Sequence, residues 1–126
     1  MELTLHSSRL SVSPATKAYL ERRLSFALGR FADVISGIDV RLEDINGPRG
    51  GIDKRCRIRV MLSRISTPAL AEVADHEIRA AIDIAANRVG RSVARQLDRR
   101  QGRRVQRAMD SAPAAEAVLA DWREDG

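Results

Sequence analysis

A single cysteine, Cys56, among 126 residues excludes an internal disulfide and any zinc site built on cysteines. Aromatic side chains are almost as scarce, with Tyr19, Phe26, Phe31 and Trp122 the only four. The core must then be aliphatic, and a platform of exposed rings for stacking single strands is not expected. Lysine is nearly absent too, since Lys17 and Lys54 are the only two among 22 Lys and Arg. No apolar run approaches the length of a membrane span, and the chain opens on an alternating strand pattern in place of a signal peptide. A cytoplasmic protein with no membrane partner is the expectation.

What remains is apolar enough to fold, at 44% hydrophobic, and at this length one domain with one modest core is expected. The charge is unevenly spread. Residues 1–109 carry 21 Lys and Arg against 12 Asp and Glu, whereas residues 110–126 carry one basic and five acidic residues. A basic body with a small acidic tail points to a polyanionic partner, and the planar guanidinium suits phosphate better than an ammonium does.

Leu3 and Leu5 alternate with polar residues and define a first strand. Ser13-Pro14 supplies an N-cap and a proline at the first helical position. Leu20, Leu24, Ala27, Leu28 and Phe31 recur at helical spacing, which predicts a helix over about 14–32. From Ile38 the period falls to two: Ile38, Val40 and Leu42 share one face, and Asp39, Arg41 and Glu43 the other. Asn46-Gly47-Pro48-Arg49-Gly50-Gly51 has turn chemistry. The next strand sets Cys56, Ile58, Val60 and Leu62 against Arg55, Arg57, Arg59 and Met61. Residues 63–68 predict a second turn, with a third strand of this series over roughly 69–74. Asp75 is placed to cap a long second helix with the stripe Ile78, Ile82, Ala85, Val89, Val93 and Leu97, continuing to about Met109. Gly90 inside it costs roughly 1 kcal/mol relative to alanine and marks a close backbone approach. Residues 110–126 read as a tail, disordered or with a short amphipathic helix around Val118, Leu119 and Trp122. The order β-α-β-β-β-α, with one apolar face per element, predicts a two-layer α+β sandwich: a four-stranded sheet with both helices on one face.

The glycine loop fails as a nucleotide motif. A P-loop requires Gly, four residues, then Gly-Lys-Ser/Thr ahead of a helix, whereas Ile52 stands at the second glycine and a strand follows. Arg49 likewise breaks the dinucleotide fingerprint. If the hairpin pairs Leu42 with Cys56, Glu43 lies opposite Arg55 and Asp39 opposite Arg59, each pair contributing about 0.2–1 kcal/mol. In that register Arg57, opposite Arg41, lacks a partner. The arginine row is then mainly a solvated, internally paired face, with Arg49 and Arg57 as secondary RNA contacts. Cys56, among inward apolar neighbours, is expected to be a buried residue without thiolate chemistry. His6 and His76 have no metal-ligand spacing, and Asp44 and Asp53 are explained by turn formation. With no set of nucleophile, base and oxyanion donors, no enzyme, cofactor, metal or small-molecule substrate is expected. The helices carry the stronger signal. Arg88, Arg91, Arg95 and Arg99 recur on one side of the second helix, with only Asp98 nearby to relieve their repulsion, and a polyanion on that face explains the arrangement. Lys17, Arg22, Arg23 and Arg30 of the first helix are expected to join them. Without exposed aromatics, contacts to the phosphates of a folded RNA are favoured over base-by-base reading.

The opening ELTLHSSRLSVSPATKAYLERRL and the segment AEVADHEIRAAIDIAANRVGRSVARQL resemble the ribosome hibernation-promoting factors and ribosome-associated inhibitors, also called sigma-factor modulation proteins. The resemblance spans about residues 2–100, and its most specific piece is Ala80-Ala81-Ile82-Asp83 followed by Arg88, Arg91 and Arg95. It implies a fold like that of double-stranded-RNA-binding domains, over residues 1–101, ahead of a basic-to-acidic tail, 102–126. It also implies binding to ribosomal RNA of the small subunit, in the channel of messenger RNA and transfer RNAs, with inhibition of translation under stress or in stationary phase. Lys17, Arg23, Arg88, Arg91 and Arg95 fall on basic positions of the family. The family usually has tyrosine where this chain has Arg79, which joins the secondary candidates, and commonly lysine where it has Phe26. The chain ends too soon for the C-terminal domain by which long members pair ribosomes, so a monomer acting on single ribosomes is expected. Two rival readings are a regulator that binds other structured RNAs and a protein-interaction module built on Trp122 and the tail.

Overall fold

The computed structural model describes the backbone of residues 2–45 and 52–111, and side chains as far as Arg99. The elements are β1 (Leu3–Ser8), α1 (Pro14–Leu28), a 3-10 segment (Gly29–Val34), β2 (Ile35–Asp44), β3 (Lys54–Leu62), β4 (Ile65–Asp75) and α2 (Ile78–Ser111). The order is β-α-β-β-β-α, as the periodicities predict. Two compact units divide the chain, Met1–Val93 and Ala94–Gly126. The sheet lies in the first, in the order β1-β2-β3-β4. β1 runs parallel to β2 because α1 carries the chain back between them, while β2-β3 and β3-β4 are antiparallel.

Ser13 caps α1 as expected, its Oγ accepting from the Thr16 N–H at 3.1 Å, with Pro14 following where its missing N–H is harmless. The α-helical hydrogen bonding ends at Leu28 and not near residue 32: Gly29–Val34 wind more tightly as 3-10 helix before β2 begins at Ile35. Gly29 is a poor helix former, and a tightened final turn is a common way to redirect a chain leaving a helix. The second predicted turn is also shorter than expected. Ser63-Arg64 alone reverses the chain, with Arg64 at φ 65°. Ser66, Thr67 and Pro68 therefore belong to β4, whose place at the sheet edge and whose irregular pairing with β3 near Leu62 tolerate a proline. Asp75 does serve the start of α2, its Oδ1 accepting from the Glu77 N–H at 3.2 Å.

The inward residues of the sheet, including Ile38, Val40, Leu42, Cys56, Ile58 and Val60, are at most 2% exposed, as are Leu20, Leu24 and Leu28 of α1 and Ile82, Ala85, Val89 and Val93 of α2. Both helices thus cover one sheet face. Where they meet each other, a Cβ at Gly90 would stand 3.1 Å from the Ala27 carbonyl oxygen. The glycine that weakens the helix locally is what allows this approach. Gly90→Val sets two methyl groups against the α1 backbone, and overpacking of this kind costs about 1–3 kcal/mol. A thermal melt should show a midpoint several degrees below that of the native chain; an unchanged midpoint would mean that the helices separate without cost.

Candidate nucleic-acid interface

Tyr19, Arg22, Arg23 and Phe26 stand at i, i+3, i+4 and i+7 and form one stripe on α1. Opposite them α2 presents Arg79, Asp83 and Asn87. The Tyr19 hydroxyl donates to Asp83 Oδ1 at 2.5 Å, Arg23 Nε lies 3.0 Å from the same oxygen, and Arg23 Nη2 donates to Asn87 Oδ1 at 3.2 Å. The Asp83 carboxylate raises the Tyr19 pKa, chiefly through that hydrogen bond. Arg22 and Arg79 lie over the Tyr19 ring, 5.8 and 4.9 Å from its centroid, and Arg23 lies 5.7 Å from that of Phe26. In the Ala80-Ala81-Ile82-Asp83 motif, Ala81 and Ile82 are wholly buried and Asp83 binds α1. That stretch is a helix-to-helix clamp.

Arg22, Arg30, Arg79, Arg88 and Arg91 are exposed, and Lys17 with them. Arg23 is the exception among the main candidates, with 26% of its side chain accessible. Lys17 stands two residues before Tyr19 and so on nearly the opposite flank of α1, at about 100° per residue. Arg30 lies in the 3-10 segment with its guanidinium 4.5 Å above the Phe31 ring. On α2, Asp83, Asn87 and Gly90 face α1. Arg91 is therefore on the outer crest and Arg88 on the flank turned away from α1. Neither makes an ion pair among the described residues. Arg95 and Arg99 belong to the second unit, where both are exposed.

One expectation is overturned here. Phe26 is 82% exposed, so the helix layer does display an aromatic ring. Helical spacing sets Phe26 about 200° around α1 from Leu24, the centre of the buried Leu20-Leu24-Leu28 face, and the low aromatic count obscured that position.

The outer sheet face has the predicted register: Leu42 pairs with Cys56, Glu43 with Arg55, Asp39 with Arg59, and Arg41 with Arg57. Arg55 binds Glu43 through two nitrogens at 3.1–3.3 Å, and Arg59 meets Asp39 at 2.7 Å. The Arg55 guanidinium holds the Glu43 carboxyl below its ordinary pKa, mainly by hydrogen bonding. Arg57 is not without partners, contrary to the hairpin reading. β4 brings Glu72 directly opposite, 3.7 Å away, and Glu43 lies diagonally at 3.6 Å. A pairing confined to β2 and β3 could not include the neighbour on the other edge of β3. Arg41 is the cation of this row with no ion pair among the described residues. It lines an open hollow of about 500 Å³ with His6, Arg57 and Leu70.

Cys56 is fully buried, and loss of solvation pushes its thiol up to about 12. Asp44 and Asp53 are drawn together by Lys54, whose Nζ lies 3.6 and 2.7 Å from their oxygens. The hydrogen bond that Lys54 donates to Asp53 is the main reason the Lys54 pKa is raised. Among the described residues no three His, Cys, Asp or Glu side chains are grouped to hold a metal ion, and no helix is long and apolar enough to cross a membrane. Arg49 with its glycine loop, and the tail with Val118, Leu119 and Trp122, lie outside the described residues.

Fold and surface together define a two-layer α+β protein with an arginine-bearing helix layer. Residues 3–101 match the family described as Sigma 54 modulation protein / S30EA ribosomal protein, and the chain belongs to that family. Among solved structures it is similar to the N-terminal domain of Thermus thermophilus Protein Y, at 26% identity and TM-score 0.61, over 75% of this chain and 98% of that one. A ribosomal subunit interface protein from Coxiella burnetii shares the fold at 18% identity and TM-score 0.58, over 76% of this chain and 97% of that one. Among curated proteins none matches the chain.

Proposed function

We propose that this protein binds the small ribosomal subunit through ribosomal RNA, occupies the channel of messenger RNA and transfer RNAs, and so holds translation off in stressed or stationary-phase cells. The observation that carries the reading is the arginine side of α2. Arg88 and Arg91 are exposed and unpaired among the described residues, on a chain that belongs to a ribosomal family. Like charges so placed repel each other, and a polyanion removes that cost. Arg22 and Arg30 extend the basic surface on the α1 side. Arg23, Asp83 and Tyr19 hold the two helices at the spacing the RNA meets. Arg95, Arg99 and Lys17 are further phosphate contacts, and Arg49, Arg57 and Arg79 secondary ones. Residues 1–101 form the ribosome-binding part and 102–126 an appendage to it. The protein acts as a cytoplasmic monomer, without catalysis, cofactor or small-molecule substrate.

The test is competition on isolated small subunits. Initiator transfer RNA should displace the labelled protein, and the protein should inhibit translation of a reporter message in a reconstituted system. Binding that persists undiminished under saturating initiator transfer RNA would place the protein elsewhere and sink the channel reading. Equal affinity for unrelated structured RNAs would favour a free RNA-binding regulator.

A further inference from the structure

Phe26 has no role in the fold. Its ring is 82% exposed although the chain has only four aromatic residues, and the buried face of α1 is completed by Leu20, Leu24 and Leu28. Its surroundings are cationic. The Arg23 guanidinium lies 5.7 Å from the ring centroid, and on the same stripe Tyr19 carries Arg22 and Arg79 at 5.8 and 4.9 Å. Asp83, the carboxylate that α2 brings to this stripe, is engaged by Tyr19 and Arg23.

An apolar ring close to Arg22 and Arg79, which make no ion pair among the described residues, is a poor seat for an apolar protein surface, because docking would strip water from the cations without pairing them. It suits a ligand that joins a flat π face to negative charge a few ångströms away. A nucleotide within an RNA strand is such a ligand. We propose that Phe26 is a stacking platform for an unpaired base of the bound RNA, with the phosphates flanking that base meeting Arg22 and Arg79. The inference rests on the ribosomal-RNA reading above and deepens it: the arginines of α2 hold the backbone, and Phe26 takes one base out of its stack. Base–aromatic stacking tolerates any base, since each has a π face, so the platform confers affinity and register more than sequence preference.

The test uses the full-length chain and isolated small subunits. Phe26→Ala should weaken binding about 5- to 150-fold while leaving the slope of log affinity against log salt unchanged, because no phosphate contact is lost. Phe26→Trp, made in a Trp122→Phe background, should bind like the native chain, and its emission should be quenched on binding. Phe26→Leu should behave like the alanine variant. Since the side chain is exposed, thermal midpoints of all three should stay at the native value. Native affinity in Phe26→Ala, native affinity in Phe26→Leu, or unquenched emission from bound Phe26→Trp would each overturn the platform while leaving the ribosomal reading intact. Failure of the native chain itself to bind small subunits would overturn both.

Discussion

Replacing Arg88 and Arg91 together with alanine should cut affinity for the small subunit by roughly 10- to 100-fold near physiological salt. The same variant should lower the salt slope of binding by about 1.4 to 1.8, the contribution of two phosphate contacts. The expectation follows from placement. Both side chains are exposed, and neither is committed to a carboxylate among the described residues, so their charge is available to a polyanion. Arg57→Ala is the informative comparison. Arg57 already shares Glu43 and Glu72 at 3.6 and 3.7 Å, and its loss should reduce binding less. A loss at Arg57 equal to or larger than that at Arg91→Ala would move the main RNA contact from the helices to the sheet. Stability supplies an internal control. Removing two unpaired like charges from one helix relieves repulsion, so the double variant should melt at or slightly above the native midpoint, and weaker binding cannot be ascribed to unfolding.

Stability should fall steeply as the pH is raised from 9 to 12, and most of the part that can be isolated should trace to one buried thiol. Cys56 titrates near its ordinary value of 9.0 when the chain is unfolded and only at about 12 when folded. Between those values the unfolded chain has released the proton and the folded chain retains it. The unfolded state then binds fewer protons, and stability declines with pH. The thiol costs nothing below pH 9, and its effect grows by about 1.4 kcal/mol per unit to about 4 kcal/mol at pH 12. Tyr19 and Lys54 also have raised pKa values and weaken the fold in the same direction at high pH. Denaturant unfolding of the native chain and of Cys56→Ala at pH 7, 9.5 and 11 separates the contributions. The variant should be less stable at pH 7, because a buried atom is lost. The difference should shrink and then reverse as the pH rises. A gap that stays constant across the series would show that the thiol ionises without opening the fold.

How much of this was legible in the sequence differs between elements. The register of β2 on β3 followed from alternation, because a period of two leaves only the choice of face and a two-residue slip; pairing Leu42 with Cys56 also matched opposite charges at both Asp39–Arg59 and Glu43–Arg55. Gly90 was readable as a close contact because glycine in the middle of a helical stripe needs a reason. The ends of elements were less accessible. Nothing in the periodicity separates α-helix from 3-10 turns after Gly29, and a serine- and proline-rich run looks like a loop until an edge position makes it a strand. The loop chemistry of residues 46–51 excluded a nucleotide site from spacing alone.

The candidate interface divides along similar lines. Local pattern determined which residues are charged, which helix face each occupies and that Cys56 points inward, since these depend on periods of 2.0 and 3.6 residues. It could not determine who neutralises whom across elements distant in the chain. Glu72 reaches Arg57 only because β4 returns beside β3, and Asp83 meets Tyr19 and Arg23, 64 and 60 positions away, only because Gly90 lets α2 approach α1. Phe26 lies about 200° around α1 from Leu24, and what the tertiary structure added is that no other described element covers that side, which leaves the ring 82% exposed. Charge and period are properties of a segment. Pairing and exposure are properties of surfaces brought together, and these only the tertiary structure decided.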